Sequence, residues 1–307
     1  MPNLQLTLTT TREQAELYSD TLSDAGALAV TFLDGQQEPL FEPELGTTPL
    51  WTCTQVIGLF EQETDTIALK SFIQAQLGET ALQTLVINTV ADQDWEKACR
   101  DQFQPMQFGN HLWICPSWAN TPPTLVPDPK AHTILLDPGL AFGTGTHPTT
   151  RLCLEWLDKH PPIEKNVVDY GCGSGILGIA ALKLGATQVY AVDYDPQALQ
   201  STHDNAQKNN YFPKQMLALL PEDFNAHALS WAKRPAIDLI VANILLNPLI
   251  RLAPEFAAWL KPSAPLVLSG ILDTQLDLLL NTYNTWFENS RITQLNEWCR
   301  VDLTKRN

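Results

Sequence analysis

The sequence predicts two units of different class. Residues 1–90 read as a small α+β unit, and residues 131–307 as an α/β unit on a parallel sheet, with a linker over 91–130. Three observations carry this. Apolar strand-like runs alternate with helical ones through the second part, the pattern of a parallel sheet covered on both faces. Two strand-like pieces near residue 300 lie too close together for a helical crossover, so they form an antiparallel hairpin at one edge. And 307 residues fit about two domains at roughly 100–200 residues each.

In the first unit, LQLTLTT (4–10) alternates Leu with polar residues and reads as a strand. Residues 11–24 are helical with acids on one face. Strands follow at 25–34 and 52–61. A helix over 64–78 has Gly78 placed to end it, and 82–90 is the last strand. The order β-α-β-β-α-β suggests a ferredoxin-like unit.

The linker opens with DWEKACRDQFQPMQFG, which begins as a short helix and breaks near Pro105. LWICPSW (112–118) is strand-like, and TPPTLVPDPK (121–130) is an extended turn segment. The hinge is placed at 90–110.

In the second unit, TILLDPG (133–139) is a buried strand or extended run, followed by a Gly/Thr-rich loop and the helix RLCLEWLDKH. The strand VVDYG (167–171) precedes the helix ILGIAALKLG (176–185), stopped by Gly185. QVYAVD (188–193) is a second strand and 196–210 a second helix. MLALL (216–220) is a candidate third strand and IDLIVAN (237–243) a fourth. A helix from Asn247 and the strand PLVLSGI (265–271) come next. The helix 274–287 then precedes the strand pieces 291–296 and 298–304.

Composition narrows the class. Hydrophobic residues make up 44% and charged residues 17%, as in globular proteins. No apolar run approaches the ~18 residues of a membrane span, and MPNLQLTLTTTREQ lacks the basic and apolar regions of a secretory signal. The six cysteines (53, 99, 115, 153, 172 and 299) form no CxxC pair, and no histidines stand at zinc-like spacing beside them. This predicts a reducing, cytoplasmic setting and no metal. Residues 1–94 carry 14 acids against Arg12 and Lys70, a net of −12 out of −15 for the whole chain. That sign disfavours nucleic acid as a partner. It suits either a solubilising surface or a docking face for a basic protein.

The chemistry-bearing stretches lie at strand ends. Asp169-Tyr-Gly171-Cys-Gly173-Ser-Gly175 joins a buried strand to a helix, where a nucleotide-type ligand lies against an open α/β sheet. Glycines there admit close approach of the backbone. A dinucleotide fingerprint counted from Gly171 wants Gly or Ala at 176, and Ile176 stands there, against a nicotinamide-dependent oxidoreductase. Asp193 ends the second strand, where a carboxylate can accept both ribose hydroxyls of an adenosine. Asp195 precedes Pro196 and reads instead as a helix cap. Asn243 ends the fourth strand, where its amide oxygen can accept a hydrogen bond from an amine nucleophile or from the ligand. Asn247, before Pro248, reads as a helix cap. The loop Gly139–Thr150 can fold over a ligand, with its Thr hydroxyls donating and Phe142 packing on an apolar part. Thr146 can also simply cap the next helix. His147 is read as structural rather than as a base, and Cys172 as a small buried turn residue rather than a nucleophile.

These segments resemble the ribosomal protein L-eleven methyltransferase (PrmA-type) family, within the class I S-adenosylmethionine-dependent methyltransferases. LDPGLAFGTGTHPTT (136–150), VVDYGCGSGILGIAALKLGA (167–186), AVDYDPQAL (191–199) and VANILLNPL (241–249) look like its signature blocks. DWEKACRDQFQPMQFG and LWICPSW look like its inter-domain segment, with Cys99 where a Trp is expected. The resemblance implies a Rossmann-like seven-stranded sheet with a C-terminal antiparallel hairpin, preceded by a substrate-recognition domain. It implies S-adenosylmethionine as cofactor, with Thr150, Gly171, Asp193 and Asn243 as contacts and Asp169 and Gly173 as supporting positions. It implies methylation of lysine and N-terminal amino groups of a basic ribosomal protein, up to trimethylation, by a monomer. Asn243 is followed by Ile-Leu-Leu, so the Pro-Pro-aromatic platform of adenine-amine methyltransferases is missing. A non-enzymatic cofactor-binding scaffold for ribosome assembly stays open as a rival.

Overall fold

The computed structural model describes residues 2–36, 38, 40, 47–91, 103–119, 131–137, 145–211, 214–229 and 236–307. The chain divides into two compact units, Met1–Ala98 and Cys99–Asn307. The helix expected after Asp94, Cys99, the proline-rich 121–130 stretch and the loop positions 139–144, Phe142 included, lie outside the described residues.

The first unit is a four-stranded antiparallel sheet of β1 (Asn3–Thr11), β2 (Ala29–Asp34), β3 (Cys53–Glu61) and β4 (Val86–Val90), in the order β2-β3-β1-β4. Period-two patterning puts Leu6 and Leu8 of β1 and Val56 and Phe60 of β3 on one face. Two helices cover that face. α1 (Ala15–Asp24) buries Ala15, Tyr18 and Leu22, and α2 (Thr66–Leu77) buries Leu69 and Ile73. The expected strand 82–90 starts later, at Val86, because a short helix α3 (Glu79–Gln83) comes first and buries Ala81.

The second unit centres on a seven-stranded sheet. Its strands are β8 (Asn166–Tyr170), β9 (Gln188–Val192), β10 (Met216–Leu219), β11 (Leu239–Asn243), β12 (Pro265–Leu272), β13 (Phe287–Leu295) and β14 (Trp298–Lys305). The order is β10-β9-β8-β11-β12-β14-β13, parallel except that β14 runs against both of its neighbours. Alternate residues feed two cores, as Val167 and Val168 show. One core takes α4 (Pro148–Lys159), α5 (Ile176–Lys183) and α6 (Pro196–Lys208). The other takes α7 (Pro221–Leu229), α8 (Leu246–Trp259) and α9 (Leu276–Tyr283). The sequence reading has no helix at α7, whose visible apolar pattern is little more than the pair Phe224 and Ala228.

A smaller sheet joins β5 (Met106–Phe108), β6 (Leu112–Cys115) and β7 (His132–Leu135); β6 is antiparallel to β5 and parallel to β7. Part of the stretch read as connective is therefore strand, and it packs Phe108, Leu112, Ile114 and Ile134 into the first of the two cores. Two polar side chains peg this sheet. Asp158 of α4 accepts the N–H groups of Asn110 (2.7 Å) and His111 (3.1 Å). Asn209, just past α6, accepts from Leu135 N and donates to Leu135 O, each at 2.8 Å, so an amide stands in for a neighbouring strand.

Three helix starts can be checked against the sequence. Asp195 caps α6 by accepting from Gln197 N, with Pro196 in the first turn. At α4 the cap is His147 rather than Thr146. At α8 the cap position is Leu245 and Asn247 lies inside the helix, which already begins at Leu246. No helix among the described residues is long and apolar enough to cross a membrane.

Candidate functional site

The site lies at the carboxyl ends of β8, β9 and β11. After β8 the chain turns sharply, with Gly171 N and Cys172 N both donating to Val192 O (2.7 and 3.1 Å). This backbone-on-backbone approach and a φ of +76° at Gly171 require glycine. A Cβ there would also collide with Ile244. The loop is then held from α6, where Thr202 Oγ1 donates to Gly173 O (3.0 Å) and Asn205 Nδ2 to Ser174 O (2.9 Å). The sequence reading missed both residues. Their signal is two polar side chains on the same helix stripe as buried Ala198 and Ala206.

Asp193 follows β9 and is buried. Its Oδ2 accepts Gly173 N at 3.0 Å and its Oδ1 accepts Asp195 N at 3.1 Å. Each oxygen keeps acceptor capacity for a further donor such as a hydroxyl. Asp169, on β8, is also buried. Its Oδ2 accepts Gly178 N at 2.8 Å, and its Oδ1 is buried with no hydrogen-bond partner. Burial pushes the Asp169 carboxyl up to about 7, against the Gly178 hydrogen bond, with the Asp193 charge adding to the rise.

Asn243 ends β11. Its Nδ2 donates to Thr150 Oγ1 in the first turn of α4 at 3.3 Å, which leaves Asn243 Oδ1 buried without a partner. Thr150 and Asn243 are therefore brought together over 93 residues of sequence. The next residue, Ile244, is seated between two glycines, Gly171 and Gly270. Gly270 sits in a β-bulge of β12 at φ +88°, where a Cβ would meet the Ile244 backbone. Gly270 was not singled out from sequence, although an isolated glycine inside a strand pattern signals such a bulge or close approach.

The other candidates have structural surroundings. Cys172 is buried, which raises its thiol well above the ordinary range, and its Sγ lies 3.3 Å from Thr202 Oγ1. His147 bonds Thr149 through Nδ1 and sits edge-on to Trp298. Burial pushes its imidazole down, opposed by the Glu297 charge. Among the described residues, no group of three or more His, Cys, Asp and Glu is placed to hold a metal ion. The edge therefore offers a glycine-rich loop, a carboxylate with spare acceptor capacity, and two buried oxygens without partners, Asp169 Oδ1 and Asn243 Oδ1. That set can hold a ligand bearing hydroxyls and N–H or cationic groups.

The sequence profile of the family described as Ribosomal protein L11 methyltransferase (PrmA) matches residues 2–306. The chain is 46% identical over 311 residues to a ribosomal protein L11 methyltransferase of Marinomonas sp. (strain MWYL1), covering 99% of each chain. It is 46% identical over 306 residues to one of Pseudomonas aeruginosa (strain LESB58), covering 100% of this chain and 99% of the relative. Among solved structures, it is similar to a ribosomal protein L11 methylase from Lactobacillus delbrueckii subsp. bulgaricus. There the identity is 29% and the TM-score 0.57, over 67% of this chain and 100% of that one.

Proposed function

This chain belongs to the ribosomal protein L11 methyltransferase family, and on that premise we propose that it transfers methyl groups from S-adenosylmethionine to lysine side-chain and N-terminal amino groups of ribosomal protein L11, up to trimethylation. When bound, S-adenosylmethionine would supply an electrophilic sulfonium methyl: an amine lone pair attacks that carbon in line as the C–S bond breaks, and S-adenosylhomocysteine leaves as a neutral thioether. The residues at the sheet edge suit that cofactor. Asp193 accepts the ribose hydroxyls while Gly173 and Asp195 hold it in place. Gly171 and Gly173 admit the ligand against bare backbone, and Asp169 steadies the loop through Gly178 N.

The observation that carries the reading is the Thr150–Asn243 pair. Thr150 Oγ1 takes one N–H of the Asn243 amide, which fixes the amide's orientation and leaves its carbonyl oxygen buried without a protein partner. An oxygen so fixed accepts an N–H of the acceptor amine and turns its lone pair toward the methyl. Free Lys ionises near ~10.4, so the reacting amine must first lose a proton. A neighbouring sulfonium and a dehydrated site both favour the neutral form. Alignment is then the main contribution, in keeping with the thiols and His147 being committed to packing and capping.

The first unit is assigned to substrate recognition. Its strand order β2-β3-β1-β4 supports the ferredoxin-like reading, and the strand order of the second unit suits a class I methyltransferase sheet. Glu13, Glu16, Asp20 and Asp24 form an exposed acidic stripe along α1 and the turn before it. Like charges four apart destabilise a helix by ~0.2–0.5 kcal/mol per pair, and Asp24 stands at the end the helix dipole disfavours. The stripe does not serve the helix, so it is assigned to a lysine-rich partner. The enzyme is taken to act as a cytoplasmic monomer on a protein rather than on nucleic acid.

The test is intact-mass analysis of purified ribosomal protein L11 incubated with the enzyme and S-adenosylmethionine. Successive methyl increments are expected, mapping to lysines and the N-terminus. They should be lost with Asn243→Ala while S-adenosylhomocysteine still binds. Unmodified L11 under these conditions overturns the reading.

A further inference from the structure

We propose that Arg300 and Trp298 of β14 are positioning residues for methyl transfer: they pin the first turn of α4 so that Thr150 stays on the Asn243 amide. Arg300 is buried (7% exposed). Its Nε and Nη2 grip Asp302 at 2.7 and 3.1 Å, and Nη2 also donates to Thr293 Oγ1 at 3.0 Å. Its Nη1 leaves the hairpin and donates to Leu152 O of α4 at 2.7 Å, two residues past Thr150. From the same strand, the Trp298 ring meets His147 edge-on, with centroids 4.9 Å apart. His147 caps α4 three residues before Thr150. One strand thus holds the helix on both sides of the residue that orients Asn243.

Stability alone does not account for this device. A buried arginine–carboxylate pair is often replaceable by packed apolar side chains at no loss, so its burial is weak evidence for a stabilising role. Here the pair fixes one helical carbonyl by a rigid, charge-assisted fork. The geometry it protects is narrow, because the Asn243–Thr150 bond is already 3.3 Å long and a small shift of α4 breaks it. The inference rests on the reading of Thr150 and Asn243 as part of the reacting centre.

The experiment is a double-mutant cycle between Arg300→Met and Thr150→Val. It is read as kcat and KM for L11 methylation, as calorimetric affinity for S-adenosylhomocysteine, and as the thermal midpoint of each variant. Arg300→Met keeps length and packing but removes the fork. It is expected to lower kcat by about 10²-fold, as a misplacement of order 1 Å does, and to reproduce the Thr150→Val changes in KM and cofactor affinity. In the Thr150→Val background it should lower kcat by no more than about two-fold, because one interaction cannot be lost twice. Arg300→Lys should recover only part of the rate, since an ammonium cannot make the planar fork. If Arg300→Met does not fold, Asp302→Asn, which weakens the grip without changing shape, takes its place in the cycle. Additive effects, or an unchanged kcat in a folded variant, overturn the inference alone. A Thr150→Val enzyme with wild-type rate and affinity overturns the reading of the site as well.

Discussion

Asp193 and Asp169 both serve one glycine loop, and their surroundings give them different work. Asp193 holds two backbone N–H groups and retains acceptor capacity on both oxygens. Asp193→Ala therefore removes the loop anchor and the proposed sugar acceptor together. At ~1.5–3 kcal/mol per hydrogen bond to a charged group, S-adenosylhomocysteine affinity should fall by about 10²-fold in calorimetry. Asp169 faces the reverse balance, with a single donor and full burial raising its carboxyl to about 7. Its folded value lies above the unfolded one, so the native state binds the extra proton. The associated stability is complete below the unfolded value near pH 4 and is lost as pH rises to about 7. Thermal midpoints should show this decline between pH 4 and 7 in the wild type, and Asp169→Asn should remove it. Asp193 was legible in the sequence because it ends an apolar strand and Pro196 marks Asp195 as the cap. The Thr150–Asn243 bond was not, because no local pattern joins two residues 93 positions apart.

Among the elements, the bulged strand β12 shows how far a local irregularity reaches. Gly270 brings β12 against the Ile244 backbone, beside Asn243. Gly270→Ala adds a Cβ where backbone already lies and forces it into the left-handed region. Methylation should drop by at least about ten-fold, with a thermal midpoint also lowered by a strain of order 1–3 kcal/mol. A Gly270→Ala enzyme with wild-type activity contradicts this account of Asn243. The elements legible in the sequence are those with long, strong periods, such as the strands 167–171, 188–193 and 237–243. Those that escaped it, α3 and α7, are short and bury few apolar side chains. Asn247-Pro248 mimics a helix start, but the cap position is Leu245, with extended backbone, and the helix begins at Leu246.

Across the whole molecule, charge is unevenly divided: a net of −12 lies in residues 1–94 of a chain that totals −15. Reversing Glu16, Asp20 and Asp24 to Lys should raise KM for L11 about ten-fold or more, since charge pairing governs encounter. S-adenosylhomocysteine affinity should stay unchanged. An unaltered KM returns the stripe to the role of a solubilising surface. The division into an α+β part and a parallel α/β part could be read from strand and helix order. The membership of β5 and β6 in the second unit could not. It depends on Asp158 reaching 48 residues back and Asn209 reaching 74, and contacts so distant leave no periodic trace.

Ile244 acts as a shim shared by two parts of the machine. Its side chain faces Gly171 while its backbone faces Gly270. A thinner residue such as Ala therefore loosens only the glycine-loop side, and the β12 side stays set by main chain. The loop assigned to the cofactor can thus be re-spaced on its own, from a position next to the strand end assigned to the acceptor.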